Sequence, residues 1–324
     1  MDFGGLLGNE TLKRRLSASF SQGRALHSYL ITGPEGSGKH TLAVWLSAAL
    51  TCAAPNAPCM RCSSCRKAMA GTHPDIITVD SERATIPVDT IRQACADAWL
   101  TPTEGVRRVF LIPRAGDMNA QGQNALLKTI EEPPERCAFI LLCKNDAVLL
   151  PTVRSRCARL ALSPLPQSVV QSELAKRFPE ASAQERQEAW ERSGGYLGQA
   201  IAAMEYQEPT QAQTLAKAFA STSALAAMEA AYALQGLKTD AFSQILDAFS
   251  QILSDSLLTA AAERPATGFA KTIAASRSRR DIMALYSGVE QLKLWCAANV
   301  NPNHLAGELA LLLYQPGAWP PATD

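Results

Sequence analysis

The glycine-rich stretch "GPEGSGKHT", Gly33 to Thr41, follows the apolar run "SYLIT" at Ser28 to Thr32 and precedes the helical pattern "LAVWLSAAL". Gly33, Gly38 and Lys39 satisfy the GxxxxGK spacing, with Gly36 between them, in the strand-loop-helix setting that motif needs. Backbone N–H groups of such a turn and of the helix start converge on phosphate oxygens, and the Lys39 ammonium adds a point charge. A strand that feeds a phosphate loop and then a helix commits this part of the chain to an α/β fold.

Four further apolar runs agree: "DIITV" at Asp75 to Val79, "VFLI" at Val109 to Ile112, "FILL" at Phe139 to Leu142 and "LAL" at Leu160 to Leu162. They alternate with helical patterns, one of them through "NALLKTIEE", where Leu126, Leu127 and Ile130 share a face and Pro133 stops the helix. Unbroken apolar runs between helices predict strands covered on both faces, hence a parallel sheet. After "SPLPQ", Ser163 to Gln167, the chain turns to Ala-, Leu- and Gln-rich helical patterns, with a second break at "QEPTQ", Gln207 to Gln211. Three parts are expected: a parallel-sheet domain over 1–165, a small helical domain over 166–206 and a larger helical domain over 207–324. The closing "QPGAWPPATD" reads as a loose tail.

The phosphate loop lacks its usual partners. The residue after Lys39, where a Ser or Thr hydroxyl binds magnesium, is His40; Thr41 lies one residue further, turned by about 100° around the helix. At the end of the Val109 to Ile112 strand, where a nucleotide-hydrolysing enzyme places acids that hold magnesium and polarise water, stand Pro113 and Arg114. Asp117, Glu131 and Glu132 read as surface acids. The chain is therefore expected to lack nucleotide hydrolysis of its own, while ATP binding at the degenerate loop is left open by the sequence.

"CAAPNAPCMRCSSC" places Cys52, Cys59, Cys62 and Cys65 at the spacing Cx6Cx2Cx2C, which lets four thiolates close a tetrahedron around a structural zinc ion. His73 in "GTHPD" fits a turn better than a ligand. The other cysteines, Cys95, Cys137, Cys143, Cys157 and Cys296, lie among apolar neighbours and read as core fillers. Nine unpatterned or clustered cysteines suit a reducing compartment. The start, "MDFGGLLGNETLKRRL", has no signal-peptide pattern, and no run approaches the roughly 20 apolar residues of a spanning helix, so a cytoplasmic protein with no membrane partner is expected. Formal net charge over the 324 residues is +1 with signs mixed, which argues against autonomous nucleic-acid binding. The basic stretch "ASRSRRDI", Ala275 to Ile282, reads as a solvated helix end.

Taken together, the phosphate loop, the four-cysteine insertion behind its helix, "GTHPD", "NALLKTIEEPPE" at Asn124 to Glu135, "LLPTVRSRC" at Leu149 to Cys157 and "PLP" at Pro164 to Pro166 resemble bacterial clamp-loader AAA+ subunits of DNA polymerase III. The resemblance covers the whole chain and is strongest over 20–166. It implies an AAA+ parallel-sheet domain carrying a zinc module at 52–65, then a helical lid domain, then an all-α collar domain. Motor subunits of the family, gamma and tau, carry the strand-end acids that Pro113 and Arg114 replace, and an arginine sensor where the lid here has Gly198. These departures resemble the delta-prime type, a non-catalytic subunit that partners gamma or tau and delta and helps load the sliding clamp onto primed DNA. The resemblance implies that Arg156, in "SRC", reaches the ATP of a neighbouring subunit, and that Ile245, Phe249, Ile252 and Leu257 serve the collar or this domain's own core. Alone, Arg154, Arg156 and Arg159 would read as a solvated basic edge. Two other functions fit the residues: an active gamma/tau-like ATPase recruiting Thr41 and Asp117 or Glu131, and a zinc-containing nucleotide-binding regulator outside replication.

Overall fold

In a computed structural model, described for residues 3, 5–205, 209–261 and 268–316, the chain forms two compact units, Met1–Tyr206 and Gln207–Asp324. The expected tail beyond residue 316 and residues 207 and 208 of the expected break at Gln207 to Gln211 lie outside the described residues.

All five apolar runs are strands: β1 (Ser28–Thr32), β2 (Ile76–Thr78), β3 (Arg108–Ile112), β4 (Cys137–Cys143) and β5 (Ala158–Ala161). They form one parallel sheet in the order β2-β3-β4-β1-β5, with Leu30 paired to Leu141 and Phe110 to Phe139. Because strand side chains alternate, the buried runs feed two cores. Val109, Leu111, Ala138, Ile140 and Leu142 face one layer; Phe110, Ile112, Phe139 and Leu141 face the other.

The first layer holds α1 (Glu10–Ser21), α2 (Lys39–Thr51) and the cysteine-bearing α3 (Ser63–Met69). From Leu42 to Thr51 every residue of α2 except the half-buried Val44 is buried, which explains why it carries no polar stripe: it runs between the sheet, α1 and α3. Trp45 stacks on Phe3 and meets Phe20 edge-on, locking α1 over α2. The second layer holds α4 (Val88–Asp97), α5 (Ala120–Glu131) and the single turn α6 (Pro151–Arg154). Asn119 caps α5 by accepting from the Gly122 N–H at 2.8 Å. Buried Gln123 ties α5 to the start of α6: its carbonyl accepts from Leu150 N–H at 2.7 Å and its amide donates to Met118 O at 3.0 Å.

Three helices follow within the first unit, α7 (Gln167–Arg177), α8 (Ala183–Arg192) and α9 (Leu197–Glu205), around Val170, Leu174, Ala189 and Ala200. The second unit is helical in its described residues: α10 (Thr210–Ser221), α11 (Ala224–Tyr232), α12 (Thr239–Ala260), α13 (Gly268–Ser276), α14 (Arg279–Ala297) and α15 (Pro302–Tyr314). Ile245, Phe249 and Ile252 are buried in this unit's core and Leu257 packs against it, so they are core residues rather than an interface stripe. Within "ASRSRRDI", Ser278 caps α14 and Arg277 turns inward, donating to Phe219 O at 2.7 Å and lying over the Phe219 ring.

Among the described residues no helix is long and apolar enough to cross a membrane. Of the scattered cysteines, Cys137, Cys143, Cys157 and Cys296 are buried and Cys95 is half-buried, as fillers would be.

Candidate functional site

The phosphate loop opens onto a cleft of about 870 Å³ at the carboxyl ends of the strands, where open parallel sheets bind ligands. Gly36, Gly38, Lys39, His40 and Thr41 line it, with Pro113, Arg114, Asp117, Lys144 and, at the start of α9, Tyr196, Leu197 and Gly198. Gly33 sits at the loop's entry, where its N–H donates to Cys143 O at 3.3 Å. Gly36 and Gly38 have φ of 71° and 93°, a region where glycine alone is unstrained, and Gly38 forms the N-cap of α2.

The loop is engaged with its own chain. Lys39 Nζ donates to Gly33 O at 2.7 Å and Pro34 O at 2.6 Å, and burial lowers its pKa from the ordinary lysine value. The Gly198 N–H donates to Gly36 O at 2.9 Å, and Gln199 Nε2 to Glu35 O at 3.0 Å. Contact between the two backbones is so close that a Cβ on Gly198 would lie 2.5 Å from Gly36 Cα. Helix α9 thus begins directly on the phosphate loop, and its second residue has to be glycine. Outside, Lys144 pairs with Glu35 at 2.9 Å.

At the tip of β3 the guanidinium of Arg114 occupies the region where hydrolysing enzymes gather acids. It bonds Asp80 through Nε at 2.9 Å and Nη2 at 2.7 Å, Asp117 through Nη1 at 3.1 Å, and carbonyls of the 81–84 loop. The hydrogen bond from Arg114 holds the Asp80 carboxyl below the usual carboxylate range. Asp117 and Glu131, expected to be plain surface acids, are both in ion pairs: Asp117 with Arg114 and Glu131 with Arg156 at 2.6 Å. Arg159 pairs with Asp146, and Arg154 Nε is buried with no hydrogen bond among the described residues, so the three arginines do not form a uniform basic edge.

The sulfurs of Cys52, Cys59, Cys62 and Cys65 lie within 4.8 Å of one another. Cys52 and Cys62 are 3.9 Å apart and Cys59 and Cys65 4.0 Å, near the ~3.8 Å edge of a tetrahedron with metal–sulfur bonds of about 2.3 Å. Backbone N–H groups of Ala54, Cys62 and Cys65 donate to the sulfurs of Cys52, Cys59 and Cys62 at 3.3 to 3.4 Å. Amides aimed at sulfur favour thiolates, the form that binds metal: at Cys59 the N–H groups of Arg61 and Cys62 lower the thiol pKa to about 6, while burial raises the thiols of Cys52 and Cys65. The four residues could hold a metal ion.

His73 stands outside this cluster. Its Nδ1 accepts from the Asp75 N–H at 3.1 Å, which places the proton on Nε2, facing Ser64 Oγ at 2.9 Å; Ser64 in turn donates to Thr51 O. This is a structural tie between α3 and the turn before β2, with the imidazole as donor rather than base. Asp75 completes it, accepting from the N–H groups of Thr103, Glu104 and Gly105 at 2.6 to 2.8 Å.

Residues 8–166 match the family described as DNA polymerase III, delta subunit. The chain is 38% identical over 174 residues to DNA polymerase III subunit delta' of Pseudomonas aeruginosa, covering 52% of this chain and 53% of that protein. Residues 8–166 belong to the clamp-loader family of DNA polymerase III. The clamp-loader segment is also 37% identical over 148 residues to subunit delta' of Yersinia pestis, 44% of each chain. Against subunit tau of Escherichia coli it is 33% identical over 174 residues, 53% of this chain and 27% of that one. The chain thus spans about half the length, or less, of these relatives.

Sequence reasoning missed Asp80, Lys144 and the pairing of Glu131. Asp80 and Lys144 follow the carboxyl ends of β2 and β4, the edge where a parallel sheet assembles its site, and that position was the signal available.

Proposed function

We propose that this chain is a non-catalytic, delta-prime-type subunit of the DNA polymerase III clamp loader, binding gamma or tau and delta and helping place the sliding clamp on primed DNA. The observation that carries the reading is Arg114 at the tip of β3, bonded to Asp80 and Asp117, so that the nearby acids are neutralised rather than presented to magnesium. His40 in place of a hydroxyl residue, Lys39 bound to its own loop and the lid glycine seated on Gly36 support the same conclusion.

In this reading the three parts of the chain, 1–165, 166–206 and 207–324, are the AAA+ domain, the lid and the collar. Arg156 acts in trans. Its guanidinium carries a permanent charge and a planar fork suited to phosphate oxygens, and placed against the triphosphate of a gamma or tau neighbour it stabilises the charge that develops as the phosphoryl group transfers. Such a contribution is worth about 10³ to 10⁵ in rate and asks nothing of the donor's own pocket. Cys52, Cys59, Cys62 and Cys65 would hold a zinc ion, closed to water by four sulfurs and stabilising the module. The exposed apolar residues Leu225, Met228 and Tyr232 of α11 and Leu311 and Tyr314 of α15, two helices that pack together, would form the collar face in place of the α12 residues.

The test is a steady-state ATPase measurement on the purified chain and on the reconstituted loader. Alone, the chain turns over no ATP; in the loader, Arg156→Ala leaves assembly intact and depresses turnover. Similarity to tau favours one other reading, an active gamma/tau-like ATPase, and turnover by the isolated chain that Lys39→Ala abolishes would establish it.

A further inference from the structure

Arg156 follows α6 and is tied to its own unit at three points, one of them a long 3.4 Å hydrogen bond from Nη1 to the neighbouring Ser155 Oγ. Its Nε lies 2.6 Å from Glu131 Oε1, at the last residue of α5, and its Nη1 donates to Thr152 O at 3.0 Å. Nη2 has no hydrogen bond among the described residues. Glu131 is oddly placed for a residue that serves only folding. A carboxylate at the last residue of a helix faces the negative end of the helix dipole, and a pair whose side chains are 39% and 42% exposed contributes little to stability. Glu132, adjacent and equally charged, has no ion pair among the described residues. Gln123 meanwhile anchors the other end of the same α5–α6 contact, so α5 fixes both the start of α6 and the guanidinium beyond its end.

We propose that Glu131 is the positioning residue for Arg156: the carboxylate grips the inner edge of the fork, the Thr152 carbonyl grips Nη1, and Nη2 is left for a phosphate oxygen of a nucleoside triphosphate on the neighbouring subunit. This rests on the reading above that Arg156 acts in trans. In the reaction it serves, water adds to the γ-phosphorus as the bond to the bridging oxygen of ADP breaks, giving ADP and inorganic phosphate. Arg156 and Glu131 exchange no proton or electron pair in it. Glu131 lowers the freedom of a long side chain before the neighbour arrives, and misplacement of such a group is costly in rate.

The experiment uses the loader reconstituted from this chain, gamma or tau and delta, with clamp and primed DNA, and reads kcat and KM for ATP. Glu131→Ala is expected to lower kcat roughly three- to tenfold with KM within about twofold. Glu131→Gln, which keeps an acceptor for Nε, restores most of the rate, and Glu132→Ala behaves as wild type. Combined with Arg156→Ala, Glu131→Ala adds nothing further, as expected for two residues acting through one group. An unchanged or increased kcat in Glu131→Ala overturns the positioning role, an increase meaning that the carboxylate masks the arginine; additive losses in the double variant overturn it too. If Arg156→Ala itself has no effect, the trans-arginine reading fails first. If Arg156→Ala slows turnover and Glu131→Ala does not, only the positioning role is lost.

Discussion

Replacing Gly198 by alanine tests whether the start of α9 is seated on the phosphate loop. The added Cβ would stand 2.5 Å from Gly36 Cα and 2.9 Å from Gly36 O, against the roughly 3.5 to 4.0 Å that carbon atoms keep at rest. Neither neighbour is a flexible side chain, so the two backbones must part by about 1 Å. That separation opens the Gly198 N–H bond to Gly36 O, 2.9 Å in the native contact, and strains the Gln199 bond to Glu35 O. Two hydrogen bonds at about 0.5 to 1.5 kcal/mol each give a loss of roughly 1 to 3 kcal/mol, and overpacking without separation would cost a similar amount. The two are alternative responses to one clash and do not add. Because the chain has two units, a single melting temperature would blur the effect. Hydrogen exchange of the Gly198 amide and the first turn of α9 reads it locally, with an expected acceleration of about 5- to 150-fold for that range of energies. Exchange unchanged from wild type, with the rest of the first unit equally protected, would refute the contact.

Asp75 is fully buried; burial opposes its ionisation, but the N–H groups of Gly105, Thr103 and Glu104 outweigh it and hold its pKa below the usual carboxylate value. Its stabilisation is therefore complete above the unfolded pKa of about 4 and is lost as pH falls through the lower folded value, and Asp75→Ala should remove about 2 to 4 kcal/mol at neutral pH, measured by urea unfolding. Metal analysis of native protein should find about one zinc per chain, and Cys62→Ser or chelation should release it and lower the unfolding temperature of the first unit; full-stability protein without metal would remove the site. Met228→Asp and Leu311→Asp alter exposed side chains, so circular dichroism and melting should hold while co-elution with gamma or tau is lost; retained assembly would clear this face of a collar role.

What could be read from the sequence was what is local in it. The strands were legible because a parallel sheet buried on both faces writes itself as unbroken apolar runs, and the phosphate loop and cysteine cluster because their parts lie within a few residues. Arg114 and Asp80 are 34 residues apart, Lys144 and Glu35 109, and nothing in either neighbourhood announces the other. Helical periodicity also fails to separate core from contact surface. Ile245, Phe249 and Ile252 on α12 and Leu225, Met228 and Tyr232 on α11 repeat at the same three- and four-residue intervals, yet the first set is buried and the second is 64% to 72% exposed. The period says that a face is covered, not by what.

The charge at the strand tips explains why restoring acids alone would not rebuild a hydrolytic site under the proposed function. The region does not lack carboxylates: Asp80 and Asp117 are both within hydrogen-bonding distance of one guanidinium. A divalent cation entering there would have to displace Arg114 from two carboxylates and from the carbonyls of the 81–84 loop, against the repulsion of its fixed positive charge. Arg114→Asp removes that repulsion but also releases the loop that Arg114 holds, and His40 still offers no hydroxyl to the metal. Reversal therefore needs at least two coupled changes, one at the strand tip and one after Lys39. Arg114→Asp with His40→Thr should show magnesium-dependent nucleotide binding that neither single variant shows, and a single variant that binds as well as the pair would show that the arginine was never the obstacle.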